Sequence, residues 1–173
     1  GNSLSTESTA KVIALLNAAP NGVQSWSQDI EGLVQTSLNL GVARLEDHFR
    51  MTFAVRSSVN QEKQDLLARL AELAKFYEAD YSQVGEYPAW EYRKESRLRD
   101  TMVSIYTRMF GKAPEVVAIH AGLECGLLSE KLPGLDCISF GPQMHDIHTS
   151  RERLEIKSVE RTWNFLLEML KNL

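Results

Sequence analysis

The residues from Phe49 to Arg56 alternate strictly between two kinds of side chain, and this constrains the fold more than any other feature. Large apolar side chains stand at every second position and smaller or polar ones between them: Phe49, Met51, Phe53 and Val55 against Arg50, Thr52, Ala54 and Arg56. Because side chains of a β-strand point alternately to its two faces, the pattern predicts a half-buried strand. Residues 34–43 precede it across a short polar loop, so the two segments are predicted to form a β-hairpin.

Helices are predicted on both sides of the hairpin. Apolar residues recur at helical spacing in segments 5–18 and 66–77, and Pro20-Asn21-Gly22 is predicted to end the first helix. A further strand is predicted at 81–86. Helix, strand pair, helix and strand indicate a small α+β sandwich with its helices on one face of the sheet.

The second half of the chain follows a different pattern. The polar run "EYRKES" after Trp90 predicts a boundary between a domain at 1–90 and another at 91–173. Beyond it the periodicity predicts helices at 98–109, stopped by Gly111, and at 159–170. The apolar runs 115–122 and 135–141 are predicted as strands. This alternation is typical of an α/β unit with a largely parallel sheet.

Composition excludes several classes of function. The 173 residues are 43% hydrophobic and 24% charged, which is typical of a soluble globular protein. A net charge of −4, without a basic block, argues against a partner that is nucleic acid or a membrane surface. Two cysteines, with no signal peptide or long apolar span, favour the cytoplasm. The chain begins with glycine, so we expect it to be a piece of a longer protein.

Three potential metal ligands, His145, Asp146 and His148, follow a Gly-Pro turn. A zinc site needs about three or four protein ligands, and His-x-x-His in a loop is a weak signal without the helical glutamate of metalloproteases. Exposed histidines are also common in loops. The pattern alone therefore favours a polar loop over a metal site.

Two further places could carry chemistry. Gly122 and Gly126 bracket Glu124 at a predicted turn from strand to helix, where backbone amides could meet an anion or where the turn could simply need glycine. Spacing leaves both interpretations open. Arg56, at the end of its strand, could bind a carboxylate through two N–H donors of its planar guanidinium, but the pattern favours a charge that is simply exposed to solvent.

Four segments together resemble the C-terminal portion of a known enzyme family: "NAAPNGVQSWS", "VQTSLNLGVARL", "HAGLECGLL" and "ISFGPQMHDIHTSRERLEIKSVERTWNFLLEML". The family is the aminoacyl-histidine dipeptidases, carnosinase-like members of the aminoacylase-like zinc peptidases. The resemblance implies an α/β catalytic domain that holds two zinc ions, with an α+β lid inserted into it. Residues 1–90 would then be the second half of the lid, and 91–173 the C-terminal part of the catalytic domain.

The resemblance also implies roles for individual residues. His148 takes the place of the last zinc ligand, and His145 and Asp146 match none. Arg56 falls at the lid arginine that binds the C-terminal carboxylate of the substrate, while Gly122 and Glu124 match the glycine loop of the substrate site. One departure is local, since Asp146-Ile147 and Ser150 stand where relatives carry Gly-Pro and proline.

The implied activity is hydrolysis of Xaa-His dipeptides by a cytosolic, zinc-dependent homodimer. The remaining zinc ligands and the general base have no counterpart in this chain, so no catalytic residue is assigned and the chain alone is expected to be inactive. The alternative is a non-catalytic lid module that mediates oligomerisation through exposed strand edges.

Overall fold

The computed structural model describes residues 3–120 and 124–173. Helices and strands follow one another in this order: α1 (Thr6–Ala18), β1 (Gly22–Trp26), β2 (Val34–Leu45), β3 (Phe49–Ser57), α2 (Asn60–Phe76), α3 (Arg97–Phe110), α4 (Glu124–Lys131), β4 (Met144–His145), β5 (Arg153–Leu154) and α5 (Ile156–Leu170). They divide into two compact units. The first comprises Gly1–Tyr92 and Ala118–Glu130, and the second Arg93–Val117 and Lys131–Leu173.

The sheet of the first unit is an antiparallel array in the order β1-β2-β3. The predicted hairpin is confirmed as β2 and β3, closed by a turn in which the Glu46 amide donates to the His48 carbonyl. The side chains of β3 alternate between half-buried and exposed, as the sequence predicts. β1 was not predicted, because four of its five residues are exposed and no apolar alternation marks it.

Helix α2 covers one face of this sheet, and the main apolar core of the first unit lies between them. Leu66 and Leu70 of α2 pack against Leu38 of β2, with Phe53 and Val55 of β3 around them. Full burial of a leucine side chain stabilises a fold by about 1.5–3 kcal/mol. This contact therefore fixes which face of the hairpin turns inward and leaves the opposite face free for polar groups.

The first turn of α2 is fastened to the sheet by Glu62. Its carboxylate accepts hydrogen bonds from the side chains of Ser25, Gln35 and Thr36, and Thr36 lies 2.8 Å from the hydroxyl of Ser57. Burial raises the pKa of Glu62, but the three hydrogen bonds outweigh it and hold the pKa below its usual value. The Glu62 carboxylate thus ties the first turn of α2 to β1 and β2, while the Asn60 amide at the start of the helix donates to the Glu91 carboxylate at 2.8 Å.

The core of the second unit lies between α3 and α5. Met102 and Ile105 of α3 pack on Phe165 and Met169 of α5. Ser96 caps the N-terminus of α3, its hydroxyl accepting from the Arg99 amide, and Gly111 follows the helix in the left-handed conformation. Both helices and the stop at Gly111 are confirmed.

Three strand predictions are wrong for the residues that the structure describes. Segment 81–86 is irregular, and the Val84 side chain is 93% exposed. Segments 115–120 and 135–141 carry no ladder either, and Val116, Val117 and Ile119 are all more than half exposed. A strand exists only beside a hydrogen-bonded neighbour, and within 3–120 and 124–173 these runs have none. The described elements, helices with small antiparallel sheets, form an α+β fold.

No helix among the described residues is both long and apolar enough to span a lipid bilayer.

Candidate functional site

Arg56 lies on the face of the sheet opposite α2. It is exposed near the end of β3, directly across the ladder from Ser37 of β2. The Oγ of Ser37 is 2.7 Å from Nε2 of His120, which belongs to the segment Ala118–Glu130 of the same unit. The fold therefore gathers an arginine, a serine and a histidine on one side of the sheet, from positions up to 83 residues apart.

The electrostatics of this group are unusual for a histidine. Burial lowers the pKa of His120, and the positive charge of Arg56 lowers it further. At neutral pH the imidazole is consequently uncharged, and the guanidinium of Arg56 is the cation of the cluster. Such a combination can bind a carboxylate by charge from one side and by neutral hydrogen bonds from another.

Glu124 and Gly122 follow His120 in the sequence. Glu124 is exposed at the start of α4, and Gly122 lies outside the described residues. Further along α4, Gly126 is buried against the backbone of Pro88 and Ala89. This close approach helps to hold α4 against residues 88–90 of the first unit.

His148 lies in the loop that joins β4 to β5 in the second unit. Its backbone has a φ of 65°, and its amide donates to the Glu152 carboxylate at 2.9 Å. Asp146 also has a positive φ, and its carboxylate lies 3.5 Å from the guanidinium of Arg153. Few residues other than glycine adopt this backbone region, so several contacts within the loop are needed to hold it. The imidazole of His148 is exposed to solvent.

The chemistry of this loop allows one metal ligand rather than a complete metal site. Among residues 3–120 and 124–173, no three histidine, cysteine or acidic side chains converge as a metal site would require. The Asp146 carboxylate faces Arg153, and the Glu152 carboxylate is engaged by the His148 amide. An exposed imidazole on a fixed backbone fits a ligand that completes a site formed with other residues.

Sequence patterns missed Ser37 and His120. Ser37 sits in an ordinary strand, and His120 precedes a glycine turn without any companion nearby in sequence. Their relation to Arg56 appears only with the β2–β3 register, which places Ser37 opposite Arg56. Register depends on long-range pairing, and the residue types alone carry no signal for it.

Comparisons with known proteins identify relatives of this chain. No protein-family model matches the chain. The cytosol non-specific dipeptidase of Escherichia coli strain K12 is 37% identical over 162 residues, which are 93% of this chain and 33% of that protein. The crystal structure of aminoacylhistidine dipeptidase from Vibrio alginolyticus superposes with a TM-score of 0.88 at 31% identity, covering 100% of this chain and 36% of the other.

Aminopeptidase PepT from Bacillus cereus ATCC 10987 shares the fold, with a TM-score of 0.72 at 16% identity over 93% of this chain and 44% of that structure. The chain thus spans about a third of the length of the two dipeptidases named above. Within that span, similarity in both sequence and fold confirms its resemblance to the aminoacyl-histidine dipeptidase family.

Proposed function

We propose that this chain is part of a zinc-dependent dipeptidase that acts in the cytosol on Xaa-His dipeptides and forms homodimers. The 37% identity over 93% of the chain to a cytosol non-specific dipeptidase carries the proposal. The name of the Vibrio alginolyticus neighbour supports a C-terminal histidine in the substrate. On this view residues 1–90 belong to a lid and 91–173 to the catalytic domain.

The first unit would hold the substrate by its C-terminal carboxylate. Arg56 projects from a sheet whose other face is packed against α2, so its base is rigid while its guanidinium remains exposed. A guanidinium presents two parallel donors that match the two oxygens of a carboxylate. Gly122 and Glu124 would line the same substrate site.

His148 would contribute one imidazole to a zinc site completed by residues outside this chain. A bound zinc ion lowers the pKa of a water molecule and polarises the scissile carbonyl. The Glu152 carboxylate holds the backbone of His148 and so sets where the imidazole is presented. With a single such ligand, the 173-residue chain by itself would hydrolyse no dipeptide.

The test is substitution of His148 in a longer protein that contains this chain. His148→Ala should lower zinc content, measured by atomic emission after dialysis, and abolish hydrolysis of an Xaa-His dipeptide. His145→Ala is the matched control, because His145 lies three residues away in the same hairpin and is equally exposed. Unchanged zinc content and turnover in His148→Ala would reject the metal role, as would an equal loss in both variants.

A second candidate is a non-catalytic module that mediates oligomerisation. The order β1-β2-β3 supports it, because β1 and β3 each have one side without a partner strand among the described residues. Light scattering over a concentration series tests this possibility. A mass that stays monomeric at every concentration would exclude assembly through this chain.

A further inference from the structure

Ser37 and His120 form a hydrogen-bonded pair outside both apolar cores. The bond of 2.7 Å joins two half-buried side chains on the sheet face that carries Arg56. The opposite face already holds α2, through the Leu38 core and the Glu62 carboxylate. The pair is therefore not needed to attach the helix and is available to a ligand.

The number of donors in this pair can be counted. A serine hydroxyl and a neutral imidazole have one O–H and one N–H between them, and their mutual hydrogen bond uses one. Either the imidazole Nδ1–H or the serine O–H therefore remains free, whichever tautomer is present. When His120 is protonated, Nε2–H donates to Ser37, and both the serine O–H and the Nδ1–H are free. Among the described residues, no other hydrogen bond engages the ring.

The surroundings of the pair favour an anion. The charged residues of β2 and β3 are all arginines, namely Arg44, Arg50 and Arg56, and β1 has none. Within the described part of the chain, no carboxylate lies within ion-pair distance of Arg56. Glu124 at the start of α4 is the acidic residue nearest to His120 in sequence. A ligand carboxylate would thus meet one uncompensated guanidinium and the free donor of the pair.

We propose that Ser37, Arg56 and His120 form a single subsite for the C-terminal carboxylate of a peptide. Arg56 binds the carboxylate by its fork, and the Ser37–His120 pair supplies the additional donor that fixes its orientation. This inference rests on the proposed role of Arg56 and adds two residues to it. It also makes binding depend on the protonation of His120.

The direction of that dependence follows from charge. Without ligand, burial and Arg56 hold His120 neutral. A bound carboxylate offsets the charge of Arg56 and accepts one more hydrogen bond from the protonated pair than from the neutral pair, so it raises the pKa of His120. By linkage, carboxylate binding is accompanied by proton uptake, and affinity falls as the pH rises through the pKa of His120 in the complex.

The experiment uses acetylglycine as probe, with acetylglycinamide as the uncharged analogue. Histidine resonances of the 173-residue chain are titrated by NMR with and without each compound. Acetylglycine should raise the pKa of His120, and the amide should leave it unchanged. His48 is the internal control, since its Nε2 lies 3.2 Å from the Arg50 guanidinium, and its resonances should not respond to acetylglycine.

Substitutions locate the effect. Ser37→Ala should weaken acetylglycine binding roughly tenfold, the usual scale for one hydrogen bond to a charged group, and should reduce the proton uptake. Ser57→Ala is the matched control, because Ser57 follows Arg56 but lies on the α2 face beside Thr36. It should leave both quantities unchanged.

The outcomes separate this inference from the proposed function. If acetylglycine shifts the Arg56 side-chain resonance while the pKa of His120 stays constant and Ser37→Ala binds normally, the subsite is overturned and Arg56 keeps its role. If neither Arg56 nor His120 responds at saturating probe, both the subsite and the carboxylate role of Arg56 are rejected. An equal response to the amide also overturns the subsite.

Discussion

Gly126 of α4 lies so close to Pro88 that a Cβ at this position would be 2.8 Å from the Pro88 carbonyl oxygen. The obstacle is backbone, and the Ala89 and Trp90 backbone stands at 3.4 Å behind it. Neither can move aside as a flexible side chain would. The contact is part of what keeps α4 on the first unit.

Gly126→Ala should therefore destabilise the first unit by about 1–3 kcal/mol, the usual cost of inserting a methyl group into a closely packed place. Amide hydrogen exchange resolves the loss, which should appear in α4 and at the amides of Ala89 and Trp90. Gly41→Ala is the control, because a Cβ there meets its nearest neighbours at 3.8 and 3.9 Å. Equal protection of α4 in Gly126→Ala and in the unsubstituted chain would contradict the expected clash.

Glu62→Gln should destabilise the first unit by about 1–3 kcal/mol at neutral pH, because an amide cannot accept from all three donors as a carboxylate does. The pKa of Glu62 is lowered in the folded chain, so its stabilisation is complete above the ordinary glutamate pKa and disappears as the pH falls through the folded value. The difference between the two proteins should consequently shrink in acid.

Urea unfolding followed by circular dichroism across pH 3–7 measures this prediction for Glu62. The matched control is Glu72→Gln, an exposed glutamate in the same helix. A destabilisation that is the same at every pH would show that the charge of Glu62 contributes nothing.

Asp136→Asn should loosen the second unit. The Asp136 carboxylate accepts from the Ser96 hydroxyl at 2.7 Å and from the Leu98 amide at 3.0 Å, at the start of α3. Burial raises its pKa, but these bonds and the charges of Arg93 and Arg99 hold the pKa below its usual value. Its stabilisation is thus present above the ordinary aspartate pKa and lost as the pH falls through the folded value.

We expect Asp136→Asn to cost about 1–3 kcal/mol at neutral pH. Hydrogen exchange in α3 and α5 is the measurement, since it reports on this unit separately. Asp100→Asn, in the exposed first turn of α3, should cost less, on the order of 0.3–1 kcal/mol from the helix dipole. A larger loss in Asp100→Asn than in Asp136→Asn would contradict the assignment.

Arg56→Lys in a longer, active protein should raise the KM for a dipeptide roughly tenfold, because lysine keeps the charge but loses the paired donors of the fork. Arg50→Lys is the control, on the same face of the same strand but six residues away. Steady-state kinetics on both variants tests the role. A KM unchanged by Arg56→Lys, or raised equally by Arg50→Lys, would exclude a specific carboxylate contact.

Local sequence patterns predicted helices and strands correctly where the element that packs against them lies in this chain. The alternation in β3 and the helical spacing in α2 predicted both elements correctly, because Phe53 and Val55 of β3 pack against the cluster that contains Leu66 and Leu70 of α2. The same reasoning failed for 115–122 and 135–141, whose apolar runs have no neighbouring strand among the described residues. An apolar run indicates that a segment needs a partner, and where that partner lies is a property of the whole fold.

The residues of the candidate site also differ in how far the sequence could identify them. Arg56 and His148 were assigned through resemblance, and their roles stay predictions, whereas pattern alone favoured a solvated charge and a polar loop. Ser37 and His120 could not be found from either source. Their proximity to Arg56 depends on the register of the β2–β3 ladder and on a hydrogen bond between residues 83 positions apart in the sequence. Residue type restricts what a side chain can do, and long-range geometry decides which side chains do it together.

The bulge between Leu40 and Val42 shifts the pairing register of β2 against β3 by one residue. Before it, Leu38 and Leu40 pair with Val55 and Phe53 on the side of α2; after it, Leu45 pairs with Phe49 on that same side. Gly41 is the extra residue of this bulge, so deleting it would join the two registers into one regular ladder and would leave Arg44 and Leu45 on their present faces. The bulge therefore lets β2 carry one residue more than β3 without turning its apolar side chains outward, and Ser37 and Arg56 pair on the base side of it.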